Sequence, residues 1–356
     1  MNITNVEVTV HKSKRQLAPG KAPRRDALQT LPGAGRVEVV VQVEDGTQGR
    51  GTASLGRVPG ALRAIATAIE EIFWPLLVGQ PIAFIRRHHE EMLRETEYHG
   101  SFGLAMFGIA ALDTALWDCL GKLHGLPCWE MWGAVRETIP AYAMVGWLNY
   151  DDDQVKAICS QAVEQGFSAV KIKVGYPTLE QDMARVELVQ RAIGPDIRLM
   201  VDANQSLTTK EAIRRGRAFE ELGCYWWEEP IPAHDIEGYA ALVRALDISI
   251  ATGENLYTRH DFARFLQRHA VDILQPDLRR AGGPTSLLQV GTMADAFRIP
   301  YASHGGGPIQ LNIMACLPNT LYLETGLIKA DSPLELVDGC VAIPRGAGFS
   351  WNEAPY

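Results

Sequence analysis

The chain has 356 residues, 47% of them hydrophobic and 21% charged, enough to bury a sizeable core in one large or two modest domains. Its net charge of −8 leaves no electrostatic footprint for nucleic acid and no polybasic helix for a membrane surface. No uncharged apolar run of 18 residues is present, and the opening MNITNVEVTVHKSK alternates as a strand does, so a soluble cytoplasmic protein is expected, its six scattered cysteines reduced and buried.

Taken in order, NVEVTV and RVEVVVQVED read as strands, DGTQG as a turn, and GALRAIATAIEEIFWPLL as the start of a helical region, an α+β pattern. Residues 12–36 carry Pro19, Gly20, Pro23, Pro32, Gly33 and Gly35 without a period, and the basic residues Lys12, Lys14, Arg15, Lys21, Arg24 and Arg25. This is a long loop, either functional or a solvated insert. A second loop, SLGRVPG, carries Arg57 as a candidate substrate contact.

After about residue 135 short apolar runs alternate with amphipathic helical segments. TIPAYAMV, SAVKIKV, IRLMVDAN, CYWWEEP, ISIATGEN, VDILQPD, IPYASH and TLYLETG make eight predicted strands separated by seven helices. That rhythm predicts a parallel (β/α) barrel. An open doubly wound sheet would carry a glycine-rich βα turn, and none follows the early strands.

In such a barrel the strand C-termini converge on one mouth. They read Lys171 and Lys173; Asp202 and Asn204; Glu228 and Glu229; Glu254; Asp277; His304; Glu324. One acidic strand end is commonly a helix cap. Seven successive ionisable endings are not explained that way. Asp202, Glu228 and Glu254 are spaced 26 residues apart, which predicts three adjacent strands at equal height, and carboxylates so close would repel unless a cation lay among them. An all-oxygen set suits Mg²⁺ better than zinc. Glu229 should point to the opposite face from Glu228.

By the same period of two, Lys171 and Lys173 share the inward face, where a metal and neighbouring cations would lower an ammonium pKa and make a usable base. Asp277 beside His304 would fix one imidazole nitrogen and leave the other free to move a proton. The bland alternatives are snorkelling lysines and a structural histidine.

The constellation KIK, VDAN, WWEEP, TGEN, QPDLRRAGG, SH and LETG resembles the enolase superfamily, and within it the mandelate racemase subgroup, across essentially the whole chain. The resemblance implies a modified TIM barrel, (β/α)₇β, of class α/β, over residues 126–325. It also implies an α+β capping domain over 1–125 with a specificity loop at 12–36, and a segment 326–356 returning to the cap. Mg²⁺ would be held by Asp202, Glu228 and Glu254. Lys173 resembles the base on one substrate face and Lys171 its partner on the substrate carboxylate. His304, oriented by Asp277, resembles the acid/base on the other face; Glu324 resembles the acid bonded to the substrate carboxylate, and Asn204 a secondary substrate contact. A homo-oligomer is expected by the same resemblance.

The shared step would be abstraction of the proton alpha to a carboxylate in a small-molecule acid, with dehydration of an acid sugar to a 2-keto-3-deoxy acid favoured by the basic loop. Racemisation or epimerisation of a 2-hydroxy acid and cycloisomerisation use the same intermediate. An inactive sugar-acid binding protein and a Schiff-base aldolase are the readings from other classes.

Overall fold

The computed structural model of the chain describes residues 1–12, 23–33, 35–55 and 58–350. The N-terminal region opens with β1 (Ile3–Lys12), a short ribbon of β2 (Arg24–Arg25) and β3 (Thr30–Leu31), β4 (Gly35–Val43) and β5 (Gln48–Leu55). β1, β4 and β5 form an antiparallel sheet with β4 in the centre. Alternate residues of β4, Val37, Val39, Val41 and Val43, are buried, as period-two patterning requires. They face α1 (Pro59–Ala68), α2 (Trp74–Leu77), α3 (Ile85–Thr96) and above all α4 (Leu104–His124).

Strand β5 lies directly on α4. A Cβ at Gly51 would stand 1.9 Å from the Ala111 carbonyl oxygen, and one at Gly49 2.1 Å from that of Ala115, so only glycine permits this approach. Among the described residues α4 is the one helix long and apolar enough to cross a membrane, and 78% of its apolar window is buried in the fold. Its buried carboxyls, Asp113 and Asp118, bond to other elements.

After α5 (Cys128–Trp132) the alternation begins: β6 (Thr138–Gly146), α6 (Asp152–Glu164), β7 (Ala169–Lys173), α7 (Leu179–Ile193), β8 (Arg198–Asp202) and α8 (Thr209–Glu221). It continues with β9 (Trp226–Glu228), α9 (Ile236–Ala245), β10 (Ser249–Thr252), α10 (Arg259–Gln267), β11 (Ile273–Leu274), α11 (Pro284–Ala296), α12 (Pro308–Ala315) and β12 (Leu323–Thr325). Capping residues start these helices on cue: Asp151 with Gln154 at α6, and Thr178 with Gln181 at α7, form reciprocal boxes.

Strands β6 to β11 pair in parallel in sequence order, and β12 pairs with β6. The predicted strand IPYASH is no continuous strand. It joins the ring through isolated bridges, Tyr301 to Leu274 and Thr320, and His304 to Asp277. A short hairpin, β13 (Leu336–Val337) and β14 (Cys340–Ala342), then adds antiparallel to β6. The last described residues reach α4, where Phe349 N donates to Asp118 Oδ1 at 3.0 Å.

The barrel interior is layered. Tyr142, Ala169, Met200, Trp226, Ala251, Ile273, Ala302 and Tyr322, one from each of the eight staves, form a single apolar cluster. Two residues further along, six of the eight staves carry a polar side chain, Lys171, Asp202, Glu228, Gln275, His304 and Glu324; Met144 and Gly253 are the exceptions. Outward residues such as Val170, Ile172 and Val174 belong instead to the shell shared with the surrounding helices.

The cap meets the barrel where Asp113 of α4 accepts from Thr285 N and Thr285 Oγ1, both at 2.7 Å, at the start of α11. Burial raises the Asp113 carboxyl above its ordinary value. Replacing Asp113 by Ala strands both donors, and we expect a loss of about 3 kcal/mol in urea unfolding. Asp113→Asn, which keeps an acceptor, should lose less; equal losses would show that packing rather than the hydrogen bonds matters there.

Candidate active site

The polar layer above the apolar cluster is built by strand register. Lys173 pairs with Asp202, and Asp202 with Glu228, across adjacent parallel strands, so these three stand at one level. Glu254 does not share that level: Ala251 is the register partner of Glu228, three residues earlier. Equal spacing in sequence therefore overstated equal height. The chain turns at Gly253, with φ +138°, where a Cβ would meet the Gln275 backbone at 3.1 Å, and this turn brings Glu254 back over the mouth.

Each of the three acids faces a cation of the chain itself. Lys173 Nζ bonds Asp202; Lys171 Nζ lies 2.7 Å from both oxygens of Glu228; His304 Nε2 lies 2.8 Å from Glu254 Oε2. His304 Nδ1 faces Asp277 Oδ2 at 2.7 Å. Glu324 accepts from Lys171 Nζ (2.5 Å), Tyr142 Oη (2.5 Å) and Gly305 N (3.0 Å). Lys171, Lys173, Asp202, Glu228, Glu254, Asp277 and Glu324 are all buried, and His304 is half-buried.

The electrostatics follow from these pairs. Burial alone would lower Lys171, but Glu228 and Glu324 outweigh it and hold the ammonium well above its usual value. Lys173 is likewise raised, burial opposing and Asp202 prevailing. The depressed lysine expected from sequence supposes a metal beside it, whereas the charge that faces Lys173 here is a carboxylate. Burial would lower His304 too, yet Glu254 and Asp277 raise it to about 10. Its second nitrogen faces Glu254.

Glu228 is pushed up to about 8, by burial first and then by Asp202 and Glu324 against the opposing Lys171. Glu324 moves the other way, to about 2, burial opposing and Lys171 and His304 prevailing.

Asn204, at φ 43°, donates its N–H to Asp202 Oδ1 at 2.8 Å, and its buried Oδ1 has no partner. Glu229 turns away from Glu228, accepts from Asn255 Nδ2 at 2.7 Å and leaves Oε1 buried without a partner. Arg57 lies outside the described residues, as do residues 13–22 and 34 of the long loop. The described part of that loop docks on the mouth: Leu148 N donates to Arg25 O at 3.0 Å, and the Arg24 guanidinium sits 5.5 Å from the centre of the Trp147 ring. Lys173 Nζ lies 5.4 Å from the same ring. Two contributors were missed from sequence, Tyr142 and Trp147. Tyr142 had a signal, a hydroxyl on the inward face of the first barrel strand; Trp147 lies beyond the strand and had none.

Among the described residues no three His, Cys, Asp or Glu side chains converge closely enough to hold an ion as they stand. The donor set nevertheless fits a hard divalent cation: Asp202, Glu228 and Glu254 are oxygen donors on adjacent strands. Close by in the chain, Glu229 keeps a buried carboxylate oxygen and Asn204 a buried amide oxygen without a hydrogen-bond partner.

A capped barrel with paired lysines, a His–Asp pair and strand-end acids defines a class of enzymes that handle carboxylate substrates. Residues 154–353 match the family model described as enolase C-terminal domain-like, and residues 5–133 match the mandelate racemase / muconate lactonizing enzyme N-terminal domain. The chain belongs to the enolase superfamily, in the mandelate racemase/muconate lactonizing enzyme family. It is 32% identical over 330 residues to the arabinonate dehydratase of Saccharolobus solfataricus, covering 89% of this chain and 87% of that protein. It is also 32% identical over 314 residues to the 3,6-anhydro-alpha-L-galactonate cycloisomerase of Streptomyces coelicolor, covering 87% of each. Among solved structures, the L-talarate dehydratase of Polaromonas sp. JS666, complexed with Mg and L-glucarate, superposes with a TM-score of 0.85 at 30% identity, covering 98% of this chain and 94% of that one. The chain is an enzyme of lyase or isomerase type.

Proposed function

We propose that this enzyme dehydrates an acid sugar to a 2-keto-3-deoxy acid, with Mg²⁺ held by Asp202, Glu228 and Glu254. The observation that carries the reading is the placement of two acid/base groups, Lys173 on β7 and His304 on the seventh stave, in one polar layer that includes the three carboxylates. The ion would supply positive charge to the substrate carboxylate as negative charge develops there. Lys173 Nζ, released from Asp202 and having first lost its own proton to solvent, takes the α-proton as a neutral amine, and the C–H electron pair remains on the substrate as an enediolate. His304 gives a proton to the β-hydroxyl, the C–O bond breaks with its electron pair on oxygen, and water leaves. The resulting enol tautomerises to the keto acid. Lys171 and Glu324 flank the carboxylate end, and Asp277 keeps the imidazole aimed.

Incubation with a panel of mono- and dicarboxylic sugar acids and Mg²⁺ tests this. A 2-keto acid from at least one of them is expected. Deuterium exchange at Cα without keto acid from any would instead support a racemase or epimerase. Isomerisation that makes or opens a ring without loss of water would support a cycloisomerase, a reading favoured by the name of the Streptomyces relative.

Arg24 on the Trp147 ring at the mouth argues for an acid with a second carboxylate. For a dicarboxylic substrate Arg24→Ala is expected to raise KM about tenfold, the equivalent of one charge-assisted hydrogen bond. A monocarboxylic substrate should be unaffected. Equal shifts for both in steady-state assays would remove Arg24 from substrate recognition.

A further inference from the structure

The loop after β11 wraps the carboxylate of Asp277. Its Oδ1 accepts from the backbone N–H of Arg279 (2.8 Å) and of Arg280 (3.0 Å), and from Arg279 Nε (3.2 Å). Its Oδ2 accepts from Arg279 Nη2 at 2.5 Å and faces His304 Nδ1 at 2.7 Å, with Arg280 Nη1 3.5 Å away. Arg279 therefore grips Asp277 with one two-pronged edge of its guanidinium.

The third nitrogen leaves the barrel. Arg279 Nη1 donates to Ser54 Oγ at 2.9 Å and approaches Ser54 O at 3.4 Å. Ser54 is the penultimate residue of β5, the strand pressed glycine-first onto α4. A guanidinium is planar and rigid, so the fork on Asp277 dictates where Nη1 can point. A shift of β5 against the barrel must then break the Ser54 contact or turn the carboxylate. The same loop is held a second time from the cap, by Asp113 at Thr285 and by His89 Nε2 at Gly282 O, 3.0 Å. Among the described residues no hydrogen bond or ion pair joins Arg279 to Lys171 or Lys173.

We propose that Arg279 is a positioning residue that makes the aim of His304 depend on the seating of β5 in the capping domain. The seating of β5 on the barrel and the readiness of the His304 face are thereby linked. Lys173, on the far side of the mouth, is outside this linkage.

The linkage rests on the dehydratase reading for its kinetic test, and a second measurement needs no substrate. With Mg²⁺ and a sugar acid turned over by the wild type, Arg279→Ala should slow keto acid formation on the order of 100-fold, the cost of a misaimed group. Exchange of the α-hydrogen for solvent deuterium, the work of Lys173, should change little. Ser54→Ala, which keeps the fork and cuts only the tie to the cap, should shift the same ratio in the same direction by less. Arg279→Lys, unable to fork and reach Ser54 together, should rescue only part.

Independently, the downfield proton resonance of His304 Nδ1–H, assigned by its loss in His304→Asn, should broaden or disappear in folded Arg279→Ala. If that resonance is unchanged, or exchange and keto acid formation fall together, the linkage is wrong. If the wild type produces no keto acid but the resonance is lost in Arg279→Ala, the linkage stands and the dehydratase reading fails.

Discussion

Replacing Lys173 with Met should abolish turnover, by roughly 10³-fold or more, while the protein remains folded and retains its divalent ion. Lys173 is buried on the inward face of β7, its ammonium bonded to Asp202 and lying over the Trp147 ring. Methionine fills nearly the same volume with no proton acceptor, so loss of fold is a poor explanation for loss of rate. Both keto acid formation and α-deuterium exchange should vanish together, because both begin with the same proton. A Lys173→Met enzyme that still exchanges the α-hydrogen within tenfold of the wild type would assign the base elsewhere.

Chelation of divalent ions should be as damaging, because the proposed ion would be the main electrostatic stabiliser of the substrate carboxylate. Activity should fall to background in a chelator and return fully with added Mg²⁺. Turnover that survives exhaustive chelation would exclude a metal role for the three acids and favour a lysine-based covalent mechanism, which borohydride trapping would then detect.

How much of this was legible in the sequence depends on whether a feature is local. The inward face of SAVKIKV follows from a period of two, and the structure has Ala169, Lys171 and Lys173 pointing into the barrel. The barrel follows from the alternation of apolar runs with capped helices. Features made by contacts between distant segments were not legible. The height of Glu254 depends on a turn at Gly253 packed against Gln275, and Tyr142 matters because Glu324 arrives beside it from the last stave. Arg279 was visible within QPDLRRAGG but had no assigned work until Ser54, 225 residues away, was seen against it. Sequence shows which charges share a mouth, and not which neighbour each one faces.

The apolar layer beneath the site has a consequence for traffic. Tyr142, Trp226 and Tyr322 meet edge to face across the barrel axis, with Tyr142 and Trp226 centred 5.2 Å apart. The barrel is stoppered at that depth, so a molecule that enters by the mouth has no back door. Substrate, product and any expelled water share one exit, past the ribbon carrying Arg24 and the end of β5.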